Sequence, residues 1–280
     1  MCEAKLYIPN ILYKYLDFEG GKAMLEKHSL KYCPINELND PFEFMPGGYD
    51  MTYQSLARQA DIVFQQNKEK YLDEIMCRLG RKLTDEELEL EMERFHSYIV
   101  KSIYDGMQNR DWQSFINNAS AKYGVLSLCE EATNILMWSH YADEHKGIVI
   151  GIDSSVLRNP QKVWYNSCRP KLKASFDSNE DEYKNAVLNI MTTKALEWQY
   201  EHEWRCIEKL DRLDKVDCDA KTLYLDMTLT LDNIKEIFFG ARMSEDSKEL
   251  IKKMFSSTYP VFYNLSYNNT KYSLDCKKCE

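Results

Sequence analysis

The sequence predicts an α+β protein that forms one domain over residues 1–280 and carries an inserted helical lobe at residues 51–121. Three observations indicate this. Short strand-like runs occur on both sides of the lobe, the lobe has the helical spacing of apolar residues, and no stretch has the composition of a flexible linker. A chain of 280 residues is long enough for one sizeable hydrophobic core.

The first fifty residues predict two strands around a short helix. The run ILYKYL (11–16) contains the β-branched and aromatic residues that strands favour, and Gly20-Gly21 ends it. A short helix is predicted over 22–28, and SLKYCP (29–34) predicts a second strand that ends at a proline.

The inserted lobe is predicted to be almost entirely helical. One helix covers roughly 53–78, and a second begins where Thr84 caps the chain and Glu87 completes a capping box. From Leu88 to Ile103 apolar residues recur every three or four positions, which is the spacing of one buried helix face.

The second half of the chain alternates again between strand and helix signals. Its predicted helices cover 134–147, closed by Gly147, then 180–197 and 244–255. IVIGID (148–153) is apolar almost throughout, which predicts a central strand. The other predicted strands cover residues 123–128, 162–167, 202–210, 222–227, 236–240, 260–265 and 271–275.

Composition and motifs exclude several classes of protein. The net charge of −9 argues against nucleic-acid binding by the whole surface, though it is compatible with a local basic patch. No apolar run reaches the roughly 18 residues of a membrane span, and no secretory signal is visible, so we expect a cytoplasmic protein without membrane partners. The nine cysteines are expected to be reduced, and the single CxxC at Cys276 and Cys279 lacks the second pair of a zinc ribbon. No P-loop, GxGxxG or GxSxG motif occurs.

The stretch EWQYEHEWRC (197–206) is the densest cluster of charged and aromatic residues. On the predicted strand, Glu203 and Arg205 share one face and Trp204 lies on the other. This spacing fits a salt-bridge ladder on a solvated face. The alternative is a Glu-x-Glu catalytic pair, Glu201 with Glu203, whose pocket wall is made by the flanking aromatic side chains.

A second cluster, LMWSHYADEHKG, lies on the predicted helix that ends at residue 147. His140 and His145 are five positions apart, whereas helical metal sites use a spacing of four, so no metal site is predicted. The helix fits a packed amphipathic element whose Trp138 and Tyr141 belong to the core. The alternative is a helix that presents Ser139, His140 and Tyr141 to a ligand.

A third cluster joins the first strand to NELNDPFEF (36–44). The Asn39-Asp40-Pro41 signal predicts a turn, because a residue before proline is pushed toward extended backbone. The turn could serve only to place Phe42 and Phe44 in the core. The functional alternative is a set of contacts to a bound nucleotide from Tyr13, Lys14, Tyr15, Asn39 and Asp40.

Taken in order, these motifs resemble a known family. The succession LYKYL, NDPFE, MWSHYADEHKGIVIGID, WQYEHEWR and IKEIFFGARMS is similar to the bacterial domain-of-unknown-function family DUF2971 over essentially the whole chain. The layout of that family is similar to the ADP-ribosyltransferase superfamily. The resemblance therefore implies a split, mostly antiparallel sheet with a helical insertion, and NAD as the substrate.

The resemblance also implies roles for individual residues. That superfamily uses a residue on its first strand, a Ser or Tyr in its middle and a late Glu, often the second member of Glu-x-Glu. Breaking the bond between nicotinamide and ribose develops positive charge on the sugar, so Glu203 would stabilise that charge and Glu201 would orient or deprotonate the nucleophile. The other implied site residues are Tyr13, Lys14, Tyr15, Ser127, Trp138, Ser139, Tyr141 and Arg205, with stacking expected from the aromatic rings and phosphate contacts from Lys14 or Arg205.

The expected function is an NAD-using ADP-ribosyltransferase or NAD glycohydrolase that acts on a protein or nucleic-acid acceptor, in a toxin or phage-defence setting. One alternative is a non-catalytic nucleotide- or nucleic-acid-binding module, in which a salt bridge would hold Glu203. Another is a metal-dependent nuclease that uses His140, Asp143, His145 and Glu203, which the helix spacing weakens. The sequence predicts neither the acceptor nor the oligomeric state.

Overall fold

The structure is a computed structural model that describes residues 7–50, 53–108, 111–173, 180–218, 221–255 and 260–279. Within these ranges the chain is a mixture of α and β structure, as the sequence predicts. The helices are α1 (Phe18–Lys27), α2 (Tyr53–Leu79), α3 (Asp85–Gln108), α4 (Trp112–Ser120), α5 (Ile135–Tyr141), α6 (Glu180–Met191) and α7 (Glu245–Lys252). The strands are β1 (Ile11–Leu16), β2 (Leu30–Pro34), β3 (Tyr49–Asp50), β4 (Tyr123–Cys129), β5 (Ile148–Asp153), β6 (Gln161–Lys162), β7 (Trp164–Asn166), β8 (Leu172–Lys173), β9 (Thr193–Ala195), β10 (Glu203–Lys209), β11 (Asp214–Cys218), β12 (Lys221–Asp226), β13 (Ile234–Phe239), β14 (Val261–Tyr267) and β15 (Leu274–Lys278).

The chain divides into two compact units, which we call the sheet unit and the helical unit. The sheet unit comprises Met1–Glu43, Phe115–Ser167 and Thr192–Glu280. The helical unit comprises Phe44–Ser114 and Cys168–Met191, so it includes a segment outside the predicted lobe at 51–121. The chain therefore passes from one unit to the other directly after Glu43 and returns for the last time at Thr192.

In the helical unit, α2 and α3 pack against each other through Ala60, Phe64 and Ile99. The predicted capping box is confirmed, because the Glu87 backbone N–H donates to Thr84 Oγ1 at 3.3 Å and the Thr84 N–H donates to Glu87 Oε2 at 3.0 Å. Both helices are long. Even so, across the described residues no helix combines the length and the apolar character that a membrane crossing requires.

The sheet unit is built on one large, mostly antiparallel sheet. Its order among the described strands is β11-β12-β2-β4-β1-β5-β13-β14-β15, with β10 beside β4 and β6 beside β10. In this sheet only β13 and β14, of the described pairs, run parallel. Strand β5 lies between β1 and β13, which confirms the central position predicted from its apolar sequence.

This sheet opens beside the middle of β4. Strand β10 pairs with β4 along its whole length. Strand β2 pairs near the start of β4, through Cys33 and Val125, whereas β1 pairs only at its end, through Tyr13 and Cys129. The Lys14 ammonium spans the resulting gap and donates to the backbone carbonyl of Ser127 at 2.8 Å.

Two hydrophobic clusters cover opposite faces of the sheet. Along β5, Ile148 and Ile150 belong to the first cluster and Val149 to the second, as the alternation of a strand requires. The first cluster includes residues of α1 and α7, and the second includes Trp138 of α5. Helix α5 is thereby placed on the face opposite to α1 and α7.

Helix α5 is shorter than the predicted helix 134–147. Asn134 caps it by accepting the N–H groups of Leu136 and Met137, but the helix ends at Tyr141. The next turn contains three consecutive left-handed residues at 143–145, with φ of 44°, 51° and 69°. Gly147 is therefore not a helix-terminating residue. It is required because a Cβ there would lie 2.2 Å from the carbonyl oxygen of Leu16 on β1.

Candidate functional site

A cavity of about 350 Å³ lies at the gap in the sheet. Its volume is at the lower end of the range for small-molecule sites, about 300–1,000 Å³. Nine of the residues predicted for the site line this cavity: Tyr13, Lys14, Tyr15, Asn39, Ser127, Tyr141, Glu201, Glu203 and Arg205. The cavity thus brings the three sequence clusters together within the sheet unit.

Strand β10 supplies the charged wall of this cavity. Glu203 and Arg205 point to the cavity, whereas Trp204 and Cys206 belong to the large hydrophobic cluster, so the predicted alternation is confirmed. Glu203 is 3% exposed and Arg205 is 1% exposed. The face is therefore buried, and the solvated salt-bridge ladder that the spacing also allowed does not form.

Glu203 and Arg205 form a two-point ion pair. Arg205 Nε donates to Glu203 Oε1 at 2.8 Å, and Arg205 Nη2 donates to Oε2 at 2.9 Å. Burial raises the pKa of Glu203, but the positive charges of Arg205 and Lys194 outweigh it and hold that pKa at about 2. Glu203 is therefore ionised at neutral pH.

Glu201 lies at the end of a short 3-10 turn, Leu196–Glu201, and is 4% exposed. Its Oε1 accepts the Tyr141 hydroxyl at 2.7 Å, and its Oε2 accepts the Lys194 ammonium at 2.6 Å. Burial and the negative charge of Glu203 raise the pKa of Glu201, and Lys194 offsets them only in part. The pKa values of the two carboxyl groups are displaced in opposite directions.

Four charged residues that line this cavity were not among the predicted ones: Lys31, Glu37, Glu43 and Lys194. Two of them, Glu43 and Lys194, belong to the ion-pair network of Glu201, Glu203 and Arg205. Glu43 accepts from Lys194 Nζ at 2.9 Å and from Arg205 Nη2 at 2.7 Å. Glu43 belongs to the NDPFE motif, which the sequence had already linked to the site through Asn39 and Asp40. Lys194 was missed because it falls within the predicted helix 180–197. In the structure α6 ends at Met191, and Lys194 lies on the short strand β9. The β-branched pair Thr192-Thr193 was the available sign of that boundary.

The NDP turn contributes one residue to the cavity. Asn39 Nδ2 donates to the Tyr141 hydroxyl at 3.1 Å. Asp40 does not line the cavity; its Oδ1 accepts the Phe42 backbone N–H at 2.9 Å and so fixes the turn. Phe44 is buried as expected, but Phe42 is 63% exposed, so the turn does not place both rings in a core.

The three β1 residues have different surroundings. The Tyr13 hydroxyl donates to Glu236 Oε2 at 2.7 Å, passing over Gly151 of β5, and the Tyr15 hydroxyl donates to the Glu131 carbonyl at 2.8 Å. Burial lowers the pKa of Lys14. Lys31 also lines the cavity, and within the described ranges neither lysine forms an ion pair with a carboxylate.

Three of the α5 residues predicted for the site lie outside the cavity. Trp138 is fully buried, and its Nε1 donates to the Ala132 carbonyl at 2.8 Å. The Ser139 hydroxyl donates to the Ile135 carbonyl at 2.9 Å, and the His140 ring lies 6.3 Å from that of Tyr200. In the part of the chain that the structure describes, no three His, Cys, Asp or Glu side chains come together as a metal-binding group.

Comparison with known proteins adds one finding. Residues 137–206 match the model of family DUF2971, described as a protein of unknown function. The matched segment runs from α5 into β10 and contains Tyr141, Lys194, Glu201, Glu203 and Arg205. No curated protein and no solved structure matches the chain.

Proposed function

We propose that the protein is an NAD-using enzyme that cleaves the bond between nicotinamide and ribose, as an NAD glycohydrolase or as an ADP-ribosyltransferase with a protein or nucleic-acid acceptor. The observation that carries this proposal is the pair Glu201 and Glu203, which are buried in one cavity and have pKa values displaced in opposite directions. Such a displacement is how two neighbouring carboxyl groups take different roles in one reaction.

The two carboxyl groups suit the two halves of the reaction. The bond from ribose C1 to the nicotinamide nitrogen breaks, and its electron pair leaves with the neutral nicotinamide. Glu203, ionised at neutral pH, stabilises the positive charge that develops on the sugar. Water or an acceptor hydroxyl then bonds to C1 and gives its proton to Glu201, whose raised pKa makes it a stronger base than an ordinary glutamate.

The opposite wall of the cavity suits the phosphate groups of NAD. Arg205 already donates to Glu43 and Glu203, so its role is to orient Glu203. Lys14 on β1 and Lys31 on β2 are not paired with a described carboxylate. The Lys31 ammonium is therefore available to an anion, and Lys14, which donates one hydrogen bond to the Ser127 carbonyl, has further N–H groups to donate. Consumption of NAD, or transfer of its ADP-ribose, would serve the toxin or phage-defence setting.

Incubation of the purified protein with NAD, with and without cell extract, tests this proposal through release of nicotinamide. Glu203→Gln is expected to lower turnover by at least about a hundredfold, the scale of one lost charge-stabilising group. Glu197→Gln is the matched control, since it removes an exposed carboxylate from the same turn and is expected to keep parental turnover. Equal NAD consumption by Glu203→Gln and the parent would contradict the assigned role.

A second candidate is a nucleotide-binding module without chemistry. The observation that favours it is the two-point ion pair with Arg205, which occupies both oxygen atoms of Glu203. The same samples separate the two candidates. A module of this kind would be stabilised against heat by NAD and would release no nicotinamide. The enzyme would be stabilised by NAD and would also release nicotinamide.

A further inference from the structure

The cavity wall contains a third buried carboxylate, Glu43, whose side chain is 3% exposed. Its two oxygen atoms accept from different cations, Oε1 from Lys194 at 2.9 Å and Oε2 from Arg205 at 2.7 Å. A carboxylate with both oxygen atoms engaged in this way is held in one orientation.

Glu43 shares these cations with the two carboxyl groups proposed for the reaction. Lys194 Nζ also lies 2.6 Å from Glu201 Oε2 and 3.7 Å from Glu203 Oε2. Arg205 Nη2 donates to Glu43 and to Glu203 at the same time. Two cations therefore serve three carboxyl groups, and the positive charge that each carboxyl group receives depends on the other two.

We propose that Glu43 is a positioning residue that divides the positive charge of Lys194 and Arg205, so that Glu201 remains a base while Glu203 remains an anion. The meaning of this role for catalysis rests on the proposed function, but the charge division itself does not.

The physical consequence concerns the pKa of Glu201. Without the Glu43 charge, Lys194 has one competitor fewer and attracts Glu201 more strongly, so the pKa of Glu201 falls. The other titratable groups that face Glu201 are Tyr141 on α5, Cys129 on β4, Tyr165 on β7, Tyr200 in the preceding turn and Glu203 on β10, and of these Glu203 shares both cations with Glu43.

A carboxyl titration by NMR tests the proposal on the full chain, labelled with ¹³C at the glutamate side-chain carboxyl carbon. Glu201→Gln identifies the Glu201 signal by its disappearance. In Glu43→Gln the midpoint of that signal is expected to fall by about one pH unit, a tenfold change in the protonation equilibrium. In Lys194→Met, which removes the one of the two shared cations that contacts Glu201, the midpoint is expected to rise. Glu197→Gln is expected to leave it in place.

Opposite shifts in the two variants are a result that loss of packing alone would not give. An unchanged midpoint in Glu43→Gln, or shifts of the same sign in both variants, would overturn the proposal. If Glu43→Gln does not fold, Glu43→Asp takes its place: it draws the carboxylate back from Lys194 and Arg205 by one methylene, so the Glu201 midpoint is expected to fall by a smaller amount, and an unchanged midpoint would overturn the proposal. The titration needs no NAD, so it gives an answer even if nicotinamide is never released. If nicotinamide is released, the acid limb of its pH profile is expected to move with the titration midpoint.

Discussion

At the scale of single residues, the decisive feature is a buried arginine surrounded by carboxylates. Arg205 is 1% exposed and donates to Glu43 and Glu203. A buried ion pair need not make a protein more stable than an apolar pair would, but removal of one partner leaves the other charge without compensation. Arg205 is therefore a residue on which both the stability of the sheet unit and the orientation of Glu203 depend.

Replacement of this cation has a predictable cost. Arg205→Met is expected to lower the free energy of unfolding by about 3–5 kcal/mol at pH 7, because three buried carboxyl groups then share one cation, Lys194. Denaturation in urea measures it. Arg212→Met is the control, since the Arg212 side chain is 62% exposed in its pair with Glu208 and its loss is expected to cost at most about 1 kcal/mol.

The cost of Arg205→Met should also depend on pH. The pKa of Glu203 in the folded protein is about 2, below its value of about 4.3 in an unfolded chain. Its stabilising contribution is thus fully present above about pH 5 and is lost as pH falls toward 2. The difference between the parent and Arg205→Met should accordingly shrink from pH 7 to pH 3. A difference that stays constant over this range would contradict the ion-pair account.

At the scale of elements, the sequence predicted the helices and strands whose residues follow a regular pattern. The sequence predicted the central strand β5, the two alternating faces of β10 and the capping box before α3, because each follows from one local rule. The end of α5 at Tyr141 could not be predicted in this way. The left-handed turn at 143–145 contains no glycine, so nothing in the composition of that turn marks it.

The sequence likewise predicted some residues of the site and missed others. Glu201, Glu203 and Arg205 stand out because they are close in sequence, and Tyr13 and Tyr141 because they lie in motifs. The partnership of Glu43 with Lys194 joins residues about 150 positions apart, which no local pattern encodes. The gap in the sheet is a property of strand pairing and becomes visible only in three dimensions.

The contact between the turn after α5 and β1 gives a prediction at this scale. Gly147→Ala is expected to destabilise the protein by about 1–3 kcal/mol, the usual cost of overpacking, because the new Cβ would meet the Leu16 backbone. Gly106→Ala is the contrasting control. It lies in α3 with nothing within 4 Å of the new Cβ, so alanine is expected to be neutral or stabilising there. Chemical denaturation of both variants measures whether each substitution lowers or raises the free energy of unfolding.

At the scale of the whole molecule, charge limits how a polyanion can approach. The net charge of −9 opposes long-range attraction of nucleic acid. We expect no measurable binding of a random DNA duplex at 150 mM salt, as followed by fluorescence polarisation. A nucleic-acid acceptor would then have to be recognised through a single nucleotide at the cavity, with a shallow dependence on salt. Tight binding that falls steeply with salt would show that a basic patch dominates instead.

The points at which the helical unit joins the sheet unit restrict how such a protein can change in length during evolution. Of the four junctions at which the chain crosses between the two units, the first lies directly after Glu43 and the last lies two residues before Lys194. These two side chains, 3% and 4% exposed, meet at 2.9 Å. An insertion or deletion at either of these two junctions would displace one member of a buried ion pair and leave the charge of the other without its partner. Relatives with a larger or smaller helical unit should therefore differ at its exposed tip between α2 and α3, near Gly80, and should preserve the spacing at both junctions.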